Sequence, residues 1–394
     1  MKRHFLSLMI MLPVFTVTAQ PTVKFSGYLQ SQYQYGEEDA GLKVGTANES
    51  ADESFSRIGI RRGRIKTTAE QGLASAVFQI DLTEKGVGLK DAYLNAKDPW
   101  FNTLQVRSGV FDRPFGNEIS YSSSRRESPE RSTIFQTLFP EERDLGAMLI
   151  LQPAKSSAWN CVKLEAGLFA GNGIKQETDS KRDFIGHLSF AKTFGDISIG
   201  AGASTYIGGV YQGSENVYTM ENGAFALNSD AANKGKFAGR EYFGFDVQVA
   251  LISQFGVTNL RSEYLFGQQP GTATSSKSPN AAVLPTGDTY IRDFSGFYAI
   301  LVQDIGELPF SAVLKYDLYD PNTKVSGKET GINGTSKTDL SVNTFGFGAL
   351  WKISTAMRLQ AFYEINSNET SDNVAAMTED LKDNIFTLRL QYKF

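Results

Sequence analysis

The chain has 394 residues and a formal net charge of −4, with 37 Gly, 28 Phe and 16 Tyr but one Cys and two His. The lone Cys161 excludes an internal disulfide framework, and two histidines leave little for zinc or His-based catalysis. The acidic balance and an exported start exclude a nucleic-acid-binding role.

The N-terminal stretch MKRHFLSLMIMLPVFTVTAQ has Lys2 and Arg3 ahead of an apolar run and ends on the small residues Thr18-Ala19. It reads as a secretory signal peptide over residues 1–19, removed before Gln20. Cleavage removes two positive charges and takes the net charge from −4 to −6.

From Gln20 to Phe394 the dominant signal is period-2 alternation. VKFSGYLQSQYQY puts Val23, Phe25, Leu29, Tyr33 and Tyr35 on one face and Lys24, Ser26, Gln30, Gln32 and Gln34 on the other. The same pattern recurs at about 55–67, 73–82, 89–97, 103–111, 146–152, 162–169, 184–192, 196–204, 240–250, 257–266, 294–303, 310–319, 343–352 and 356–364. It closes with DNIFTLRLQYKF, which ends on the aromatic Phe394.

That makes about sixteen strands. Their connections alternate between tight turns, such as TAEQG and KDPWFN, and longer stretches at 36–54, 112–145, 205–239, 267–293, 320–342 and 365–383. Short turns at one end and long loops at the other predict an all-β, closed antiparallel transmembrane barrel of about 16 strands, apolar side to lipid and polar side to water, in the outer membrane. Strand glycines such as Gly200, Gly202, Gly244, Gly346 and Gly348 fit curved, tilted strands.

One segment is basic out of proportion. In RIGIRRGRIK the apolar residues Ile58 and Ile60 sit on even positions while Ile65 is odd, so the phase slips between Arg61 and Arg62. A one-residue bulge there lets Arg57, Arg61, Arg62, Arg64 and Lys66 share one face. Arginine facing lipid at the midplane costs about 2–4 kcal/mol. These cations therefore belong in a water-filled lumen, where they favour anions by focusing the field between low-dielectric walls.

The run from Phe55 to Ala96 and the following VRSGVFDRPFGNEISYSSSRRESPERSTIFQTLFPEERDLGAML resemble the phosphate-selective porins O and P. The matching elements are Arg61-Arg62, the LKDAYL strand with Asp91, Gly109 to Phe115, the triplet Glu130-Arg131-Ser132, and RDLG from Arg143. The resemblance implies a homotrimeric sixteen-stranded porin, with Arg61, Arg62 and Arg131 at a constriction, Asp91 orienting them, and residues 112–145 folded into the channel. Arg107 and Arg143 join the pore-lining set on the same ground. The chain departs from the selective members at Asp112, where they carry a Lys.

The expected function is passive diffusion of small solutes, with anions, phosphate among them, preferred; the expected partners are those solutes and outer-membrane lipid, with no cofactor. The alternative is a structural or adhesive barrel whose long loops carry the function. Arg125-Arg126 reads as a solvated loop pair and Arg143-Asp144 as an ion pair within the loop. No nucleophile elbow, P-loop or zinc spacing is present, and no enzymatic activity is expected.

Overall fold

A computed structural model describes residues 20–394; the signal-peptide reading of residues 1–19 lies outside them. The chain forms β1 (Thr22–Gly36), β2 (Phe55–Gln71), β3 (Ala74–Thr83), β4 (Gly86–Lys97), β5 (Leu104–Asp112), α1 (Thr133–Leu138), β6 (Arg143–Leu151), β7 (Val162–Phe169), β8 (Asp183–Phe194), β9 (Ile197–Tyr211), β10 (Asn216–Glu221), β11 (Ala224–Ser229), β12 (Phe237–Ser253), β13 (Gly256–Gly271), β14 (Thr289–Asp304), β15 (Phe310–Asp320), β16 (Val342–Lys352), β17 (Met357–Asn368) and β18 (Ile385–Lys393). Neighbours in sequence pair antiparallel, β9 skips to β12, and β18 returns to β1, with Gln30 opposite Gln391. This is a closed sixteen-stranded barrel with no open edge.

The alternation read from the sequence sorts as expected for β1. Val23 and Phe25 point outward and are more than 60% exposed, whereas Gln30, Gln32 and Gln34 point inward and are buried. This inversion of the soluble-protein pattern repeats on later strands, where Phe245, Leu251, Leu314, Phe347 and Leu390 face out. An apolar belt of this kind is stable against hydrocarbon rather than water.

Two features were not legible in the repeat. The remaining strands, β10 and β11, form a hairpin outside the barrel wall. β10 lies parallel to the upper part of β14, where Tyr218 stacks on Tyr290 at 4.3 Å between ring centroids. The connection between β3 and β4, on the long-loop side, is only Glu84 and Lys85. The expected alternation of tight turns and longer loops is broken there. The wall is low at that point: β3 meets β2 only from Arg64 onward. The Glu84 carboxylate accepts from the Ile60 backbone N–H at 2.9 Å, covering a β2 donor that the short neighbour leaves open.

Candidate functional site

The register of β1 against β2 slips at one point. Gln30 faces Arg62 and Ser31 faces Ile60, so Arg61 is the extra residue of a bulge. Around it Arg57, Arg62, Arg64 and Lys66 lie opposite Gln34, Gln30, Tyr28 and Ser26, the inward positions of β1. The bulge thus carries the cations of both half-strands to the inner face.

Residues 113–142, between β5 and β6, cross the barrel interior and are stitched to the wall on both sides. On one side the wall donates to loop carbonyls. Gln30 reaches Ser123 O at 3.0 Å, Gln391 reaches Ser124 O at 3.1 Å, Arg358 reaches Arg126 O at 2.8 Å, and Arg389 reaches Pro129 O at 2.8 Å. On the other side wall carboxylates accept from the loop backbone. Glu263 takes the Asn117 and Glu118 N–H groups at 3.0 and 2.6 Å, and Asp317 takes that of Thr133 at 2.8 Å.

Beneath the loop the inner wall is apolar. Phe115, Ile134, Phe135, Leu138 and Phe139 pack on Tyr206, Tyr242, Phe294, Tyr298, Ile300 and Val302 in one buried cluster. Two strand glycines make this approach possible. A side chain at Gly244 would meet the Phe115 ring, and one at Gly296 would overlap Ile134. Gly244, read from sequence as a device for curvature, is therefore a seat for the loop. The signal for this apolar wall was present in FYAILV of β14, which is apolar on both faces and departs from the strict alternation of the other strands.

The candidate cations divide into three groups. Arg57 lies at the mouth, held by the Thr46 and Ala47 carbonyls and paired with Glu49 in the first loop. Arg61 and Arg62 are consumed by the loop: Arg61 grips both oxygens of Glu130 at 2.8 Å and Arg62 reaches Oε2 at 2.7 Å. Arg389, on the polar face of the last strand but not among the candidate site residues, completes the cage at 3.0 Å. Burial by itself would raise the Glu130 pKa, but these three guanidiniums hold it well below the usual carboxylate range. Arg62 is only 4% exposed and both guanidiniums are bound to Glu130, so the expectation of Arg61 and Arg62 as constriction-lining pore cations is corrected: they anchor the loop, in a cage of three guanidiniums on one carboxylate that stays net positive.

The third group surrounds open space. A cavity of about 190 Å³ is lined by Arg64, Lys66, Asp91, Arg107, Arg131 and Arg143, with Asp112, Tyr93 and the hydroxyls of Ser120, Ser122 and Ser123. Here Arg131 donates to the Glu118 and Ile119 carbonyls at 3.0 Å and pairs with Glu142. Arg143 bridges Asp91 at 2.9 Å, Asp112 at 2.8 Å and Glu142 at 3.0 Å. Burial opposes the charge of Glu142, and Arg131, Lys90 and Arg143 overcome it, leaving its pKa well below the usual range. The expected Arg143-Asp144 pair does not form: Asp144 is bound by Arg113 at 3.2 Å.

Two cations in this wall keep free hydrogen-bonding capacity. The Lys66 ammonium has no hydrogen-bond or ion-pair partner among the described residues. Arg107 donates only its Nε, to Asn95 at 2.8 Å, with its guanidinium 4.6 Å from the Tyr93 ring centre. On the tight-turn side Tyr121 borders both this cavity and a second one of about 450 Å³, whose lining includes Asn117, Lys192, Gln248 and Arg261. Tyr121 donates to Glu127 at 2.9 Å, which fixes the ring between the two spaces.

No family model and no curated protein matches the chain. Among solved structures it resembles OmpF of Salmonella typhi, in complex with daunomycin, at TM-score 0.58 and 10% identity, over 94% of this chain and 97% of that one. It also resembles the trimer form of OmpT, an outer membrane protein of Vibrio cholerae, at TM-score 0.56 and 12% identity, over 95% and 100%. A third is the outer membrane channel DcaP of Acinetobacter baumannii, at 0.56 and 14%, over 96% and 99%. At these identities the likeness establishes the sixteen-stranded barrel of outer-membrane porins and nothing finer.

Proposed function

We propose that the chain, exported by a leader over residues 1–19, is an outer-membrane porin that passes small solutes by diffusion and prefers anions, phosphate among them. The fold supports the channel: the neighbours named above span nearly the whole chain, and DcaP is described as an outer membrane channel. The trimer form of OmpT supports a homotrimer.

The observation that carries the anion preference is the charge of the cavity wall. It presents the cations Arg64, Lys66, Arg107, Arg131 and Arg143 against the carboxylates Asp91 and Asp112. Lys66 and Arg107 retain donors for a passing solute, and the serine hydroxyls of the facing loop add neutral ones. The arginine cage on Glu130 adds a net positive background, and direct contact with a solute rests on Lys66 and Arg107.

The test is the reversal potential of the purified porin in a KCl gradient, repeated on Lys66→Ala, Arg107→Ala and with inorganic phosphate added. Anion preference in the unmodified chain that is lost in the double variant supports the reading, and block by phosphate supports the finer one. Cation preference in the unmodified chain overturns it.

A further inference from the structure

The sequence reading took Arg125-Arg126 as a solvated pair, and only Arg125 is. The Arg126 side chain is turned inward and 2% exposed. None of its three guanidinium nitrogens has a hydrogen-bond partner among the described residues. The charged groups beside it all bond elsewhere, and Glu118, the carboxylate in the same lining, attracts Arg126 without forming a hydrogen bond to it. Arg261 pairs with Glu127, Lys315 lies 3.4 Å from Asp317, and both Glu118 oxygens accept from the Ser132 N–H at 3.1–3.2 Å.

Arg126 and these groups line a small cavity of about 10 Å³ between the loop and the β13–β15 wall. Space of that size takes one water or one monatomic ion, and no polyatomic anion. An arginine does not shed its proton, and an uncompensated buried charge costs several kcal/mol. Burial and the repulsion of Arg131 and Arg62 lower the Arg126 pKa well below its ordinary value, and the attraction of Glu118 and Glu130 only partly offsets them. A water would supply one acceptor and leave the charge.

We propose that this cavity holds a single halide ion, chloride in ordinary saline, bound by the free N–H groups of Arg126. Asn117 lines the same space with its Oδ1 unpartnered. With the amide turned over, its Nδ2 donates to the same ion. The site is separate from the permeation cavity and stands whether or not the channel prefers anions. It lies under the loop segment that Arg358 holds by the Arg125 and Arg126 carbonyls, so an ion there neutralises the underside of the loop.

The experiment is crystallography of the full-length folded porin prepared with bromide in place of chloride, read by anomalous scattering. One bromide peak in contact with the Arg126 guanidinium is expected, and none in Arg126→Met. A companion measurement compares melting of the purified protein in sodium chloride and sodium gluconate at equal ionic strength. A rise of a few degrees in chloride is expected for the unmodified chain and none for the variant. No peak at Arg126, an ordered water in its place, or a peak that survives in Arg126→Met overturns the assignment. If the variant does not fold, the bromide experiment on the unmodified protein decides alone.

Discussion

Arg61 and Glu130 meet in a two-pronged pair, Nε to Oε1 and Nη2 to Oε2, both at 2.8 Å. One partner is the bulged residue of β2 and the other lies 69 positions on, in the loop that crosses the lumen. The bulge therefore does more than aim a side chain. It supplies the parallel donors that fix the loop's position across the barrel, and Arg62 and Arg389 close on the same carboxylate.

Glu130→Ala should free this segment. It leaves three arginines facing each other without their counter-ion, and breaking a buried pair by removing one partner costs about 3–5 kcal/mol. The expected outcome is a noisier and larger single-channel conductance with a lower melting temperature. Unchanged conductance in a folded variant would show that the loop is held by its apolar face alone.

Gly296→Val tests that apolar face. The new side chain would overlap Ile134, so the short helix α1 (Thr133–Leu138) must lift off β14. Overpacking of this kind costs about 1–3 kcal/mol. Protease cleavage within residues 113–142 should become faster while the barrel remains resistant, and equal cleavage rates would refute the seat assigned to this glycine.

Lys66→Glu should move the channel toward cations. At separations of about 15 Å and an effective dielectric near 20, each unit charge is worth on the order of 1 kcal/mol. The replacement changes two units, so the anion-to-cation permeability ratio should fall by more than about tenfold. The effect should shrink as salt is raised. A ratio that does not change places the selectivity elsewhere in the wall.

The last long loop carries a pH response. Burial raises the Asp383 pKa to about 6, assisted by repulsion from Asp380, Asp39 and Glu37 and opposed by a hydrogen bond from Asn368. A carboxyl with its folded pKa raised adds stability that is fully present below its ordinary value of 3.8 and is lost as pH rises through about 6. Hydrogen exchange in residues 369–384 should thus accelerate between about pH 4 and 6, beyond the intrinsic increase. Asp383→Asn should remove that extra step.

At the other end, Asp98 organises the turn between β4 and β5. Its two oxygens accept from the N–H groups of Trp100, Phe101, Thr103 and Leu104 at 2.6–3.1 Å. These bonds lower its pKa to about 2. The sign is opposite to that of Asp383: the contribution is present above the ordinary carboxylate value and is lost as pH falls through about 2. Asp98→Asn should lower the melting temperature, because the amide nitrogen cannot accept, and Asp98→Ala should lower it further.

Alternation at period two was enough to determine the barrel, because in a single closed sheet each residue's parity decides whether it faces lipid or lumen. The slip between Arg61 and Arg62 is legible for the same reason: parity is local, and a bulge is the local way to change it. Which cations remain free was not legible. Glu130 reaches Arg61, Arg62 and Arg389 across separations of 69, 68 and 259 residues, and no local pattern encodes such a meeting. The tertiary structure also reversed the reading of Arg126, whose neighbours in sequence are polar and whose neighbours in space leave it buried without a partner. Sequence parity chooses the side of the wall, while the path of the loop through the lumen decides which charges on the inner side are neutralised and which still face water.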